Sequence, residues 1–498
     1  MNMLTRRELL ASTAVAGGLA LIGSKQQARA AASDLKLLGK VKPQSALAIE
    51  KSPLSVGFET LDRQMFDPAR TYEHLARLGA KHARCQTGWA RTETQRGKYD
   101  FGWLDDVVDN LRKIGVQPWF NLGYGNPLYT PEATDHGAVG WAPVFSEDAR
   151  AGWLRFVAAA AEHYRDRVNQ WEIWNEPNIT NFWKPSKPDA KAYVELVRIT
   201  APVIRKRVPN AMIIGGAYAG IPMPYIEECL EAGMAELVDR VSYHPYRPMP
   251  ETGTRGFASY AAEIARLREL VAQYRQGAEL WQGENGCPSQ GGPGSAGALS
   301  QLDWNEQRQA KWLVRRIITD MSLGLELTSY YHTVDMVGRA GMAMYAGKIN
   351  YKGLLRANEY TPKPAYFAYQ CLAALFDART QRAPEARMET ASEPPEAFQS
   401  AVFERWQEWS HAAGKPGRAI VAWWAAADLQ KPFEPQRVDL KLTSPAGCAP
   451  ESPVLVDPLS QEVRTLPQPE RTGEAVVFRG MPLRDYPLFV TDRAVALK

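Results

Sequence analysis

Trp171-Glu172-Ile173-Trp174-Asn175-Glu176-Pro177-Asn178 reads as an aromatic-rich strand end that turns abruptly polar. It sets an amide and a carboxylate side by side at the mouth of a fold. A second carboxylate lies in Leu280-Trp281-Gln282-Gly283-Glu284-Asn285-Gly286. About three strand-plus-helix units separate the two. In an eight-unit barrel both would stand at the C-terminal ends of strands, where such barrels carry their chemistry.

Outward from that pair, short apolar runs alternate with amphipathic segments. Strands are expected at 55–59, 83–87 (Arg84 near its end), 116–122 (Asn121 near its end), 168–175, 211–216, 237–243, 278–283 and 326–331. Helices are expected at 68–79, 103–115, 147–164, 191–208, 258–274, 306–321 and 363–375. The first has Pro near its start and Gly at its end. In 258–274, Ile264, Leu267, Leu270 and Val271 recur at helical spacing. Eight such alternations argue for an α/β fold, a (β/α)8 TIM barrel at 55–378. An open doubly wound sheet would alternate similarly; the paired carboxylates at strand ends favour the barrel. The loop at 123–143, rich in Gly, Pro and aromatics, is long enough to suggest a role in the site. The Gly-rich stretch 290–300 is expected to be the most flexible.

Beyond Asp377 the character changes. Residues 379–395 are polar and Pro-containing and read as a connection. Strand-like runs follow at 419–424, 437–442, 453–457, 475–478 and 488–491, so 379–498 reads as a small antiparallel β-sandwich. Residues 33–54 are a linker or an extra strand. Residues 1–32 read as a twin-arginine signal peptide: Thr5-Arg6-Arg7-Glu8-Leu9-Leu10, a weakly apolar run, then Ala28-Arg29-Ala30. That predicts a bacterial protein exported folded, to the periplasm or beyond.

The 498 residues suit a large barrel plus an accessory unit, and 45% hydrophobic residues supply a sizeable core. A net charge of +4 with no basic run gives no reason to invoke nucleic acid, and no segment asks for stable membrane insertion. The five cysteines are scattered without a C-x-x-C pair, suggesting neither a zinc site nor a disulfide framework, and Cys287 reads as packing. The seven histidines form no H-x-x-x-H cluster, so neither metal nor cofactor is expected. Oligomeric state is left open.

Two carboxylates facing one sugar ring are what glycosidic cleavage requires. In the retaining route one protonates the departing oxygen and the other attacks the anomeric carbon, at a separation of about 5–5.5 Å. Glu176 is read as the acid/base and Glu284 as the nucleophile. Arg84 is expected to keep Glu284 ionised or else to be a structural ion-pair partner, and Tyr246 to donate to the same carboxylate or else to pack. Asn175 is placed to bond the neighbouring sugar hydroxyl. His244 reads as a sugar contact or a satisfied core histidine. Trp89, Trp119, Trp174 and Trp183 are candidate stacking platforms or core.

These segments resemble a known group. Asn175-Glu176-Pro177, His244-Pro245-Tyr246 and Gly283-Glu284-Asn285-Gly286 look like the clan A retaining glycoside hydrolases. The stretch 171–178 is most similar to family 39, which includes β-xylosidases, and the Gly-Glu-Asn-Gly segment to family 5. The resemblance implies the same roles for Glu176, Asn175, Glu284, Arg84 and Tyr246. It implies double displacement on an oligo- or polysaccharide. Where many clan members carry a strand-eight Trp platform, this chain has Ser329-Tyr330-Tyr331-His332. The platform there is a Tyr, a His or absent, and Tyr330 is a candidate sugar contact. The alternatives are a carbohydrate-binding protein whose catalysis is lost, and a transglycosylase.

Overall fold

The computed structural model describes residues 35–135, 137–254, 256–338, 345, 347–406, 417–444, 448–473 and 475–497. The twin-arginine box and the Ala28-Arg29-Ala30 site lie outside them. Eight parallel strands close into a barrel: β1 (Leu54–Gly57), β2 (His82–Gln86), β3 (Gln117–Leu122), β4 (Gln170–Ile173), β5 (Met212–Ala219), β6 (Arg240–His244), β7 (Glu279–Asn285) and β8 (Leu327–Tyr330). Closure is made by Ser55 against Ser329. Apart from the single helical turn Trp89–Thr92, the α-helices between strands are α1 (Tyr72–Leu78), α2 (Gly102–Lys113), α3 (Glu147–Tyr164), α4 (Ala190–Arg205), α5 (Met223–Glu231), α6 (Tyr260–Tyr274) and α7 (Glu306–Ser322). After β8 comes α8 (Pro364–Leu375).

Local chemistry sets these boundaries. Ser146, Asp189, Ser259 and Asn305 each cap a helix, their side chains accepting from the third residue on. Gly79 ends α1 at φ 81°, a left-handed conformation that glycine adopts without a Cβ penalty. The expectations missed α5, a short helix whose Pro222 start masks the apolar spacing of Ile226, Cys229 and Leu230. A layer of Trp119, Ile214, Trp281 and Leu327 fills part of the barrel interior. Trp119 donates to Ser55 Oγ there, so it is core and not a platform.

Past α8 all strands pair antiparallel, in a seven-stranded and a four-stranded sheet. Leu37–Lys40 joins the first, against residues 462–464. The two sheets share one apolar core, with Val421, Trp423 and Val490 facing Leu440, Phe478 and Leu483. The expected connection at 379–395 instead holds two strands, Thr380–Arg382 and Arg387–Thr390. Each lies at a sheet edge, where a polar sequence is compatible with pairing on one side only. The Gly-rich stretch 290–300, expected to be the most flexible, pairs its backbone with Ile349. Ala296 N donates to Ile349 O at 2.9 Å, and Ile349 N to Gly294 O at 3.1 Å. Among the described residues no helix is long and apolar enough to cross a membrane. All five cysteines are buried free thiols.

Candidate active site

A cavity of about 450 Å³ opens over the C-terminal ends of the barrel strands. Consecutive side chains of an extended strand point to opposite faces. Beyond β4 that alternation is broken, with φ at 73° for Trp174 and 47° for Glu176, and both Asn175 and Glu176 line the cavity. Non-glycine residues hold such angles at a cost of about 1–3 kcal/mol each, and only where the surroundings impose them. Here a bulge in β5 does so: Ala217 O accepts from Glu176 N at 2.8 Å. A second irregularity, in β7 between Gln282 and Asn285, carries Gly283 and Glu284. A Cβ on Gly283 would come 2.3 Å from Ser242 Oγ, which is why no larger residue fits there.

Arg84, fully buried at the centre of β2, organises the floor. Its guanidinium has five N–H groups, and each has an acceptor. Nε donates to Glu172 Oε2 at 2.8 Å. Nη2 donates to the same oxygen and to Asn175 Oδ1, the latter at 2.9 Å. Nη1 donates to Glu284 Oε2 at 2.7 Å and to Glu59 Oε1 at 3.1 Å. Tyr246 Oη donates to the other oxygen of Glu284 at 2.7 Å. Glu284 thus receives one cationic and one neutral donor, which suits a carboxylate that must stay in place as an acceptor.

Glu176 sits differently. Its Oε1 lies 2.9 Å from His244 Nδ1. Burial pushes its carboxyl up to about 7, with Arg84 opposing. Burial also pushes the His244 imidazole down to about 4, so the ring is neutral at pH 7 and orients Glu176 without pairing a charge with it. An oxygen of Glu176 lies within 4.8 Å of an oxygen of Glu284. Two carboxyl groups in different environments, across a gap of that size, can share the acid and nucleophile tasks on one ring.

Of the residues singled out in the sequence, Glu176, Glu284, Asn175, His244 and Tyr246 line the cavity. Arg84 and Asn121 lie beneath it; Asn121 Nδ2 donates to Glu172 and to Trp174 O. Four others are elsewhere. Trp89 stacks on Tyr129 and Phe156 and donates to Glu93. Trp183 packs among Trp174, Phe145 and Tyr193. Trp174 is itself wholly buried. Tyr330, the last residue of β8, turns toward Trp312 of α7 and donates to Cys287 O. It is Tyr331 that faces the cavity; one position along a strand exchanges the two faces.

The sequence reading passed over Glu59, Glu172, Arg63, Gln86, Tyr124, Tyr345, Asn350 and Lys352. Glu172 lies two residues before Trp174 in the deciding stretch, and a charged residue inside a buried strand was the available signal. Tyr124 comes from the long loop at 123–143: it accepts from Gln86 and stacks on Phe182. Asn350 arrives on the Ile349–Asn350 strand, which pairs with Met336–Val337, and Lys352 on the turn just beyond it.

The family Glycosyl hydrolases family 39 matches residues 79–395. A β-xylosidase of Geobacillus stearothermophilus is 28% identical over 191 residues, 36% of this chain and 36% of that protein. One from Caldicellulosiruptor saccharolyticus is 24% identical over 313 residues, 57% of this chain and 58% of that one. The matches therefore span well under two thirds of these relatives' length. Among solved structures, a family 39 glycoside hydrolase from the gut symbiont Bacteroides cellulosilyticus WH2 superposes with a TM-score of 0.63 at 20% identity. That superposition covers 89% of this chain and 81% of the other. A monomeric β-xylosidase from Caulobacter crescentus CB15 gives 0.54 at 18% identity, over 92% and 98%. At these identities the structural likeness speaks for the fold.

Proposed function

Because the chain belongs to glycosyl hydrolases family 39, and is a glycoside hydrolase acting on carbohydrate, we propose that it cleaves β-glycosides with retention, in the manner of a β-xylosidase. The observation that carries this is the gap between Glu176 and Glu284, within 4.8 Å oxygen to oxygen. Retaining enzymes hold their carboxyl groups about 5–5.5 Å apart, whereas inverting ones leave about 6.5–9.5 Å for a water. Glu176 gives its proton to the departing oxygen while Glu284 bonds to the anomeric carbon. Glu176, now a carboxylate, then takes a proton from the water that releases the sugar. Arg84 and Tyr246 hold Glu284, His244 orients Glu176, and the Asn175 amide, fixed through its oxygen by Arg84, offers N–H to a sugar hydroxyl.

The two C-terminal sheets, packed on one core, are read as a β-sandwich accessory unit. The twin-arginine pattern supports export in folded form. Aryl β-xylosides, β-glucosides and β-galactosides, screened before oligosaccharides, test the substrate. The anomeric configuration of the first-formed sugar, read by proton NMR, tests the mechanism: an inverted first product overturns it. No turnover with sugar binding intact would point to a binding protein, and transfer products in place of free sugar to a transglycosylase.

A further inference from the structure

Glu59, two residues past β1, is 1% exposed and lines the same cavity. It shares one nitrogen of Arg84 with Glu284: Nη1 donates to Glu59 Oε1 at 3.1 Å and to Glu284 Oε2 at 2.7 Å. Glu172 already takes Nε. Three carboxylates therefore meet one guanidinium in a buried site, and full ionisation of all three would leave negative charge uncompensated. The other Glu59 oxygen, Oε2, is buried with no hydrogen-bond partner among the described residues, which makes it the natural seat of a proton. His332 Nε2 is 3.5 Å from Oε2 but is hydrogen-bonded to the Glu59 backbone carbonyl.

Resting on the reading of Glu284 as nucleophile, we propose that Glu59 is a positioning residue that alternates with Glu284 as the second anionic partner of Arg84, beside Glu172. In the free enzyme Glu284 is the anion and Glu59 holds a proton. When Glu284 bonds to the anomeric carbon, the leaving group departs with its electron pair and Glu284 becomes a neutral ester. The Glu59 O–H bond then breaks, its electron pair stays on the carboxylate and the proton passes to solvent. When water releases the sugar, Glu284 regains its charge and Glu59 its proton. Burial first, and then the charge of Glu284, push the Glu59 carboxyl up to about 8, while Arg84 opposes. Esterification removes the second of these. The other groups facing Glu59 are Cys85 beside Arg84 on β2, and Tyr331 and His332 beyond β8. Burial holds the Cys85 thiol and the Tyr331 phenol well above their usual ranges and the His332 ring down to about 4, so all three are neutral throughout.

An ionised Glu59 opposes the charge that develops on Glu284 as the sugar leaves. It therefore slows release of the covalent sugar. The test uses 2,4-dinitrophenyl 2-deoxy-2-fluoro-β-xyloside, with its gluco and galacto analogues, to trap the glycosyl-enzyme on wild type and Glu59→Gln. After removal of excess reagent, reactivation is followed from pH 5 to 9. Wild type is expected to lose about tenfold in reactivation rate per pH unit on its alkaline limb, and Glu59→Gln to show no such limb. Superimposable profiles overturn the inference. Mass spectrometry of the trapped protein separates this from the underlying reading: absence of label, or label away from Glu284, overturns both. Should Glu59→Gln not fold, Glu176→Gln with native Glu59 serves. Trapping it at pH 7, in weak buffer with an indicator dye, is expected to release up to one proton per label. No release overturns the inference.

Discussion

His244 Nδ1 lies 2.9 Å from Glu176 Oε1, while Glu284 is held by Arg84 and Tyr246 instead. The two carboxyl groups thus have different hydrogen-bond partners, although His244 and Tyr246 both come from the end of β6 and His244 Nδ1 also lies 3.8 Å from Glu284 Oε2. Each glutamate can be altered without removing the other's hydrogen-bond partners. That independence lets the roles be tested one at a time.

Glu284→Ala removes the attacking group and leaves a small hole beside Arg84. Turnover of an aryl β-xyloside is expected to fall by on the order of 10⁴-fold or more. Azide, small enough to enter from the face Glu284 vacates, is expected to restore turnover and give a glycosyl azide of inverted configuration. A variant that keeps wild-type turnover, or whose azide product has retained configuration, rules Glu284 out as nucleophile.

Glu176 predicts a pH dependence that varies with leaving group. Its carboxyl is raised to about 7, chiefly by burial, so it is protonated below that value and loses its proton above it. For alkyl or sugar leaving groups, kcat/KM is expected to fall as pH rises through about 7. For 2,4-dinitrophenyl glycosides, which need no proton, that limb should be absent. Glu176→Gln should cost about 10²–10⁴-fold on the former and little on the latter in the first step. Equal losses on both classes would argue against a proton-donating role.

Tyr246→Phe removes the neutral donor to Glu284 and keeps the ring. A hydrogen bond to a charged group contributes about 1.5–3 kcal/mol, so roughly a 10- to 100-fold loss in kcat/KM is expected, with the melting temperature little changed. A loss of stability with kcat/KM preserved would make the phenol a packing group.

The barrel and its two carboxylates were legible because strand-end position is encoded locally: a short apolar run followed by a polar residue places that residue at the mouth. Arg84 and Tyr246 followed from the same rule. Side-chain direction was not encoded so plainly. Tyr330 and Tyr331 have the same chemistry, and only the last turn of β8 decides which one faces the cavity. Residue type alone makes Trp89 and Trp183 candidate platforms, yet both fill space behind the loops that shape the site. Glu59 and Lys352 were invisible because each depends on partners far along the chain: Arg84 and Glu284 for one, the ring of Tyr246 for the other. The edge strands at 380–390 were hidden by their polarity, which an edge position tolerates.

Glu251, in the segment after β6, ties the barrel to the seven-stranded sheet. Arg315 of α7 donates to both its oxygens, at 2.8 and 2.6 Å. Trp424, on the strand Arg418–Ala425, donates to it at 2.7 Å, and Arg315 also reaches Ala427 O. Burial disfavours the Glu251 charge, but Arg315 and these donors outweigh it and hold the carboxyl below its ordinary value. A depressed folded value means that the pair stabilises the fold at neutral pH. That contribution is lost as pH falls from the ordinary 4.5 through the folded value. Glu251→Leu leaves the Arg315 guanidinium buried and unpaired, at an expected cost of about 3–5 kcal/mol. Replacing both partners with leucine should recover much of that loss, because no charge is then stranded. Urea unfolding of the two singles and the double at pH 7 measures the coupling. If Glu251→Leu alone costs no more than the double variant, the pair is hydrated and the link between barrel and sheet rests on its apolar contacts instead.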